Sequence, residues 1–449
     1  MNRNASPRHE TVALLTLGCA KNVVDSEHIA SLLEANGIQV GHDPARSRVA
    51  IVNTCSFIQD AKEESIEIIL DAADLKEDGA LEALIVTGCL SERYGPELEE
   101  SLPEVDVFVG LDPQEAALAA LRALGMAGDM GCIGPELRGH RLTPAAWSYL
   151  RIAEGCDNRC AYCAIPDIRG PLRSGNPDEI LAEARYLVGR GVRELNIIAQ
   201  DTAAYGMDRN DLPSAPDLLE RLCDEAGAKW IRLLYAHPAH IGDDLIEVVA
   251  GRGEVCPYVD MPLQHISDQM LRRMGRGIRR VAVEELIERV RERIPGVTLR
   301  TTFLLGFPGE TDEDFEELLA FVEGVRFDRA GCFAYSREEG TPAAEFPDQV
   351  PAEVARERCD ELMAAQQEVA FDLAEERVGG VTEVLMEEGE AEDGLRPARS
   401  AHEAPDVDPV VYIEPPAPPP GEFATVRINE SNGYDWVART VKGEADEPR

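Results

Sequence analysis

EGCDNRCAYCAIP (154–166) follows an apolar, strand-like run and carries Cys156, Cys160 and Cys163 at the spacing C-x3-C-x2-C. Three thiolates on one compact loop can hold three corners of a four-iron cluster and leave the fourth iron without a protein ligand. An incomplete ligand set leaves a vertex open to a small molecule, which suits catalysis. Structural zinc is the competing reading, but it would usually add a fourth Cys or His, and Asp157 and the distant histidines are poor candidates. Around this loop the periodicity predicts strands at Trp147–Ala153, Glu194–Ala199, Trp230–Tyr235, Tyr258–Met261, Thr298–Leu305 and Ala330–Tyr335. Helical stretches such as Pro177–Gly189 and Val281–Arg293 lie between most of them. Six alternating units predict an open, partial β/α barrel rather than a closed eight-fold one. A charged helix, Ala352–Glu376, leaves it.

Upstream, TVALLTLGC (11–19), RVAIVNTC (48–55) and LEALIVTGC (81–89) are short β-type runs that each end at a cysteine. Helices are expected at Asp25–Asn36 and about Ile58–Ala73, which makes this region a parallel α/β sheet. Functional groups gather beyond the carboxyl ends of parallel strands. Cys19, Cys55 and Cys89 all stand there, 36 and 34 residues apart. Three in succession read as a shared metal site, with three buried strand-closing cysteines as the structural alternative. GPELRGHRLTP (134–144) reads as a linker to the barrel.

Downstream of Gly379-Gly380, the runs VTEVLMEE, VVYI and EFATVRINE alternate like antiparallel strands. PPAPPPG (415–421) reads as a stiff loop or linker, and a small barrel is the natural arrangement. The tail carries 16 acidic and six basic residues. Of the other cysteines, Cys223, Cys332 and Cys359 read as small core residues, while Cys132 and Cys256 receive no role.

The whole chain has 449 residues, enough for two to four domains, and a formal charge of −40 from 84 acidic and 44 basic residues. Lysines are few: Lys21, Lys62, Lys76, Lys229 and Lys442. Such a field repels nucleic acid and anionic membrane and attracts basic partners; it also keeps a surface soluble. No apolar run approaches the ~18–20 residues of a membrane span, and MNRNASPRHE lacks an apolar signal core, so a cytoplasmic location is expected. Eleven cysteines without a signal point to metal or redox chemistry rather than a disulfide framework.

The triplet with an aromatic residue before its last cysteine, here Tyr162, resembles the signature of radical S-adenosylmethionine enzymes. The resemblance implies that Cys156, Cys160 and Cys163 hold a 4Fe–4S cluster whose open iron takes S-adenosyl-L-methionine. One electron then cleaves the sulfonium to a 5′-deoxyadenosyl radical, in a barrel that orients it and excludes water. Gln200 and Asp201, then Pro262, Leu263, Gln264 and His265, then FLLGFPGET (303–311) follow successive strands and fit a cofactor cradle. Tyr162, Gln200, Gln264 and Gly306 are the expected cofactor contacts, the glycine by allowing close approach of backbone to ligand. Arg169 and Arg173, in IRGPLRS, are candidates for a substrate carboxylate, with surface acids as their other use.

With two cysteine triplets the chain is similar to the methylthiotransferases of that family. The likeness covers residues 1–140 (a three-cysteine domain), 141–377 (a partial (β/α)6 radical barrel) and 378–449 (a TRAM-like antiparallel β-barrel). TLGCAKNVVDSE (16–27), NTCSFIQDAKEES (53–65) and VTGCL (86–90) resemble the RimO branch, which modifies an aspartate of ribosomal protein twelve of the small subunit. The tRNA-modifying branch typically has Gln-Met-Asn after its first cysteine; this chain has Ala20-Lys21-Asn22. ARSAHEAPDVDPVVYI (398–413) is similar to a Gly-Arg-Ser…Asp-Ala-Pro-Glu-x-Asp-Gly stretch of the RimO branch, departing at Ala398, Glu403, Asp406 and Pro409. The resemblance implies that Cys19, Cys55 and Cys89 hold a second 4Fe–4S cluster, whose open iron carries the sulfur. It also implies methylthio transfer to the β-carbon of that aspartate, with no catalytic residue assigned beyond the clusters. The implied partners are the basic ribosomal protein, free or on the ribosome, an electron donor and a sulfur donor, with neither a membrane nor nucleic acid as the primary target. An acidic tail suits a basic protein and suits phosphates poorly. The rival functions are a tRNA methylthiotransferase and a non-catalytic iron–sulfur carrier.

Overall fold

The computed structural model describes residues 11–126, 138–391 and 394–441. Cys132 and residues 134–137 of the expected linker lie outside these. In chain order the elements begin β1 (Thr11–Thr16), α1 (Ala20–Ala35), β2 (Gln39–Gly41), β3 (Val49–Thr54), α2 (Gln59–Glu77), β4 (Ala83–Gly88), α3 (Cys89–Ser101), β5 (Val107–Phe108) and α4 (Pro113–Ala123). They continue with β6 (Trp147–Arg151), β7 (Ala153–Glu154), α5 (Ile165–Arg169), β8 (Arg173–Ser174), α6 (Pro177–Gly189), β9 (Glu194–Ile198), α7 (Ala215–Glu225), β10 (Trp230–Leu233), α8 (Asp243–Gly251) and β11 (Tyr258–Asp260). Next come α9 (Asp268–Arg273), α10 (Arg280–Arg293), β12 (Thr298–Leu305), α11 (Asp312–Val325), β13 (Arg329–Ala334) and α12 (Ala352–Glu376). The chain ends with β14 (Val381–Met386), β15 (Arg396–Ser400), β16 (Val411–Ile413), β17 (Phe423–Asn432) and β18 (Asp435–Thr440). Packing divides it into two units: Met1–Leu142 with Glu154–Asp157 and Ala164–Glu183, and Thr143–Ala153 with Asn158–Cys163 and Ala184–Arg449.

The first unit holds a five-stranded parallel sheet in the order β2-β1-β3-β4-β5. Alternate residues of its central strands serve opposite faces. Val12, Leu14, Val49, Ile51 and Ile85 pack with α1 and α4 residues such as Ile29 and Ala120. Ala50, Val52, Leu84 and Val86 pack with Ile69 of α2 and Leu90 of α3. A strand buried on both faces reads as a continuous apolar run, which is what the sequence shows. Helix α1 begins at Ala20, five residues before the expected start, because the polar run Lys21-Asn22 is buried beside Cys19 rather than left in a loop. The described part of the expected linker is not a free tether. Arg138 is fully buried in ion pairs with Glu27 (3.0 Å) and Glu183 (3.0 Å), and Leu142 N–H donates to Glu27 Oε1 (2.8 Å).

In the second unit, β6, β9 and β10 form one parallel sheet and β11, β12 and β13 another. Ile231 N–H to Glu254 O (2.7 Å), Cys256 N–H to Ile231 O (2.9 Å) and Ala236 N–H to Asp260 O (2.9 Å) lace the two together. The six strands thus make the expected open barrel. Strands β14-β15-β16-β18-β17 close a small barrel around Val384, Val411, Ile413, Val426 and Trp436. Its seams are antiparallel except for β16 with β18, which pair in parallel. PPAPPPG lies between β16 and β17, so it is a loop of this barrel and not a linker.

The acidic stretch 398–409 turns inward. Arg399 is fully buried and donates to Glu194 Oε2 (2.8 Å), Glu387 Oε1 (2.6 Å) and Glu403 O (2.9 Å). Arg232 donates to Glu194 Oε1 (2.9 Å) and Ala401 O (2.9 Å). Tyr149 and Tyr258 donate to Asp406 (3.3 Å) and Asp408 (2.6 Å). Glu194 and Tyr258 open their strands, so this stretch plugs the amino-terminal ends of the barrel strands. Of the acids expected to attract a basic partner, Glu403 and Asp408 are spent internally, while Asp406 stays exposed. Burial alone would push the Glu403 carboxyl up, but Arg377 (2.6 Å), Arg329 (3.8 Å) and Ser400 (2.6 Å) outweigh it and hold it below its ordinary 4.5. A depressed carboxyl stabilises fully above its ordinary value and loses that stabilisation as pH falls. Glu403→Gln is therefore expected to cost about 3 kcal/mol at pH 7. It should also flatten the acid limb of a thermal-midpoint-against-pH curve below about pH 4.5.

Candidate functional site

Parallel pairing brings the carboxyl ends of β1, β3 and β4 side by side, with Thr16 opposite Asn53 and Thr54 opposite Gly88. Adjacent strands are about 4.8 Å apart, so residues 34 to 36 positions apart become neighbours. Cys19 caps α1, Cys55 follows β3 and Cys89 opens α3. Two glycines make the turns. Gly18 (φ +89°) lies so close to Cys55 that a Cβ there would stand 2.8 Å from Cys55 Cβ; at Gly88 (φ +97°) it would meet Asn53 Oδ1 and stand 2.5 Å from Thr54 O. Side-chain amides hold the loops. Asn22 Nδ2 donates to Leu17 O (2.8 Å) and Thr54 O (2.9 Å), and Asn53 Nδ2 donates to Asn22 O (3.0 Å) and Ser26 Oγ (2.9 Å). Cys55 N–H donates to Ser65 Oγ (3.1 Å).

Cys55 and Cys89 are buried and Cys19 is exposed, so the group opens on one side. Burial pushes the Cys89 thiol up to about 12 and raises Cys55 as well; the neighbouring thiols add to both shifts, and Arg169 opposes them. Arg169 is buried. It donates to Asn22 Oδ1 (2.8 Å), Asp25 Oδ2 (3.1 Å) and Glu154 Oε2 (3.1 Å). Its fork is thus held by this chain's own groups, beside the thiols. Arg173 is exposed and donates to Arg169 O (3.4 Å). Three thiols at adjacent strand ends, two of them buried and resisting ionisation, suit a bound metal cluster whose positive charge would make the thiolates stable.

In the second loop, Cys156 N–H donates to Gly170 O (3.1 Å) in the first unit. In the second unit, Cys163 N–H donates to Cys160 O (3.0 Å), while Ala161 N–H donates to Met274 O (2.9 Å) and Ala161 O accepts from Ala343 N–H (2.9 Å). Tyr162 meets Phe307 edge-on at 6.5 Å. Arg276, buried, donates to Cys160 Sγ (3.4 Å), Tyr162 Oη (3.4 Å) and Pro262 O. The Arg276 guanidinium on the Cys160 sulfur would supply a counter-charge to a metal-bound thiolate, so this loop suits a cluster too.

Asp201 ties the loop to the strand ends by accepting from Asn158 Nδ2 (2.8 Å), His237 N–H (3.1 Å) and His240 Nδ1 (2.7 Å). Asp201, His237 and His240 have the composition and closeness of a metal site. The hydrogen bonds argue otherwise. Ala239 N–H donates to His237 Nδ1 (3.2 Å), which leaves the ring proton on Nε2 and makes that atom a donor. His237 Nε2 and Gln200 Oε1 are both buried without a partner among the described residues, so together they offer one donor and one acceptor to a bound molecule. Gln264 sits at φ +73°, its N–H on Thr302 O (2.8 Å) and its O accepting from Leu304 N–H (2.8 Å). At Gly306 the close neighbour is Ala355 of α12, so the space a side chain would fill is taken by a helix and not by a ligand. His265 is buried, its Nδ1 accepting from Ile266 and Ser267 N–H, and burial pulls it down to about 4.

Sequence reading had missed Asn22, Asn53, Arg276, His237 and His240. YAHPAH (235–240) directly after a strand was a usable signal for the histidines; Arg276, in a plain RGIRR run, gave none. Gly88→Ala is expected to remove about half of the bound iron, because the new Cβ displaces Asn53 and Thr54 at the first triad only. Arg169→Gln is expected to fold but to lose iron from that triad several-fold faster under chelator. Iron assay with absorbance in the thiolate-to-iron region reads both.

Residues 150–322 match the Radical SAM superfamily, 11–110 the uncharacterized protein family UPF0004, and 378–441 the TRAM domain. A ribosomal protein uS12 methylthiotransferase RimO from Syntrophotalea carbinolica is 44% identical, covering 100% of both chains. That of Geobacter sulfurreducens is 46% identical over 96% of this chain and 99% of its own. Among solved structures, the radical S-adenosylmethionine methyltransferase TsrM from Kitasatospora setae superposes with a TM-score of 0.55 at 15% identity, covering 87% of this chain and 80% of that one; at that identity it shows the fold alone. Whole-length identity of this order, with all three domain models in place, means that the chain belongs to the RimO family of radical-SAM methylthiotransferases.

Proposed function

We propose that the protein attaches a methylthio group to the β-carbon of an aspartate of ribosomal protein uS12. The observation that carries this reading is the triad of Cys19, Cys55 and Cys89 at adjacent strand ends, additional to the C-x3-C-x2-C loop. A radical enzyme that only abstracts hydrogen needs one triad; one that also delivers sulfur has use for a second. The uS12 substrate rests on the whole-length relatives. When bound, the two 4Fe–4S clusters and S-adenosyl-L-methionine supply the electron, the 5′-deoxyadenosyl radical and the methylated sulfur. A radical is required because the aspartate β-C–H is too weak an acid for ordinary base catalysis.

The chain's own residues bind and orient. Cys156, Cys160 and Cys163 hold the reductive cluster. Arg276 steadies Cys160 and Tyr162, and Asp201 anchors the loop through Asn158. Gln200, Gln264 and Tyr162 stand at the cofactor end of the barrel strands, where His237 adds a donor. Cys19, Cys55 and Cys89 hold the sulfur-bearing cluster, with Arg169 as its fixed counter-charge and Arg173 as the exposed cation available to a substrate carboxylate. The electron and the sulfur come from donors outside this chain, and the reaction takes place in the cytoplasm. Among the described residues, no helix is long and apolar enough to cross a membrane. The net charge of −40 favours encounter with a basic ribosomal protein over a phosphate backbone.

Anaerobic enzyme with S-adenosyl-L-methionine, sulfide and reductant, offered uS12 and tRNA separately, tests the reading. A methylthio gain on uS12 is expected, and modification of tRNA alone would overturn it. Cys19→Ala should keep 5′-deoxyadenosine release and lose the methylthio product; Cys160→Ala should lose both.

A further inference from the structure

Cys332 and Cys359 belong to neither triad. Cys332 lies in β13, the last strand of the open barrel, and Cys359 is the eighth residue of α12. Both are partly exposed, and their Sγ atoms are 2.8 Å apart. That is about 0.8 Å longer than a disulfide bond. The sequence reads both as small core residues; in the fold they are partly exposed and adjacent. The closeness is imposed by rigid neighbours. Cys332 is paired in register with Phe303 of β12, and Arg358, next to Cys359, is clamped by Glu310 Oε1 (2.6 Å) and Asp312 Oδ1 (2.6 Å).

We propose that Cys332 and Cys359 are a dithiol–disulfide pair, a modification site at which a small disulfide of the glutathione type ties β13 to α12. Cys359 as thiolate attacks one sulfur of the small disulfide, forming a mixed disulfide and expelling one small thiolate. Cys332 then gives up its proton to solvent, attacks the Cys359 sulfur and displaces the second thiolate. Two protein thiols are oxidised by two electrons, and one small disulfide is reduced to two thiols. Cys332 acts second because Cys359 beside it, together with burial, holds its thiol in the protonated form. The bond would join the barrel to the helix that leads into the C-terminal barrel, where Trp436 Nε1 already donates to Ala374 O (3.0 Å).

Full-length holoenzyme, kept anaerobic, is exposed to oxidised glutathione, quenched with N-ethylmaleimide and digested with trypsin. The expected product is a linked pair of peptides, 330–337 with 359–377, reversed by dithiothreitol. Its formation should raise the thermal midpoint by several degrees. Cys332→Ser and Cys359→Ser should each lose the linkage and the shift, while keeping methylthio transfer in the reduced state. Recovery of both cysteines alkylated, or as separate glutathione adducts, overturns the proposal. Should Cys332→Ser fail to fold, Cys359→Ser, on the partly exposed helix, carries the same comparison.

Discussion

Parallel pairing in the first unit sets three thiols at the ends of adjacent, buried strands. Burial makes the Cys55 and Cys89 thiolates unfavourable, and repulsion from neighbouring thiols adds to it, pushing Cys89 up to about 12. One guanidinium, Arg169, opposes this from within the same unit, and it is itself held by Asp25, Glu154 and Asn22. Against several potential anions, the proposed metal centre would supply the remaining positive charge. The turns of Gly18 and Gly88, together with the amides of Asn22 and Asn53, belong to the same arrangement, because any side chain at those glycines would occupy the place of a neighbouring backbone or cysteine.

The second unit repeats the logic at the other loop. Arg276 approaches Cys160 and Tyr162 from behind, while Asp201 gathers Asn158, His237 and His240. An Asp with two histidines looks like a metal site by composition. The acceptor role of His237 Nδ1 makes it an anchor with one spare donor instead. The opposite, amino-terminal ends of the same strands are closed by residues 398–409 through Arg399, Arg232 and Glu194. One open end for chemistry and one plugged end for stability is the division of labour general to β/α barrels.

The acidic composition therefore has two uses. Glu403 and Asp408 serve as internal partners of arginines and a tyrosine, whereas Asp406 accepts from Tyr149 while staying exposed. Glu390, Glu414 and Glu430 remain exposed and do contribute. Net charge alone overstated how far the tail faces a basic partner.

The strands and most of the helices were legible in the linear chain, because each rests on local signals: runs of period two or continuous apolarity, with cysteines at the ends of several of them. The early start of α1 was not, since Lys21 and Asn22 look like loop residues until their burial is known. Nor was the place of Arg169, which answers to Asn22 and Asp25 from more than 140 positions away. The inward turn of Glu403 and the approach of Cys332 to Cys359 likewise needed the folded chain. Periodicity reports which way a residue faces within its own element; which side chain it meets across the core is set by the packing of elements, and that exists only in three dimensions.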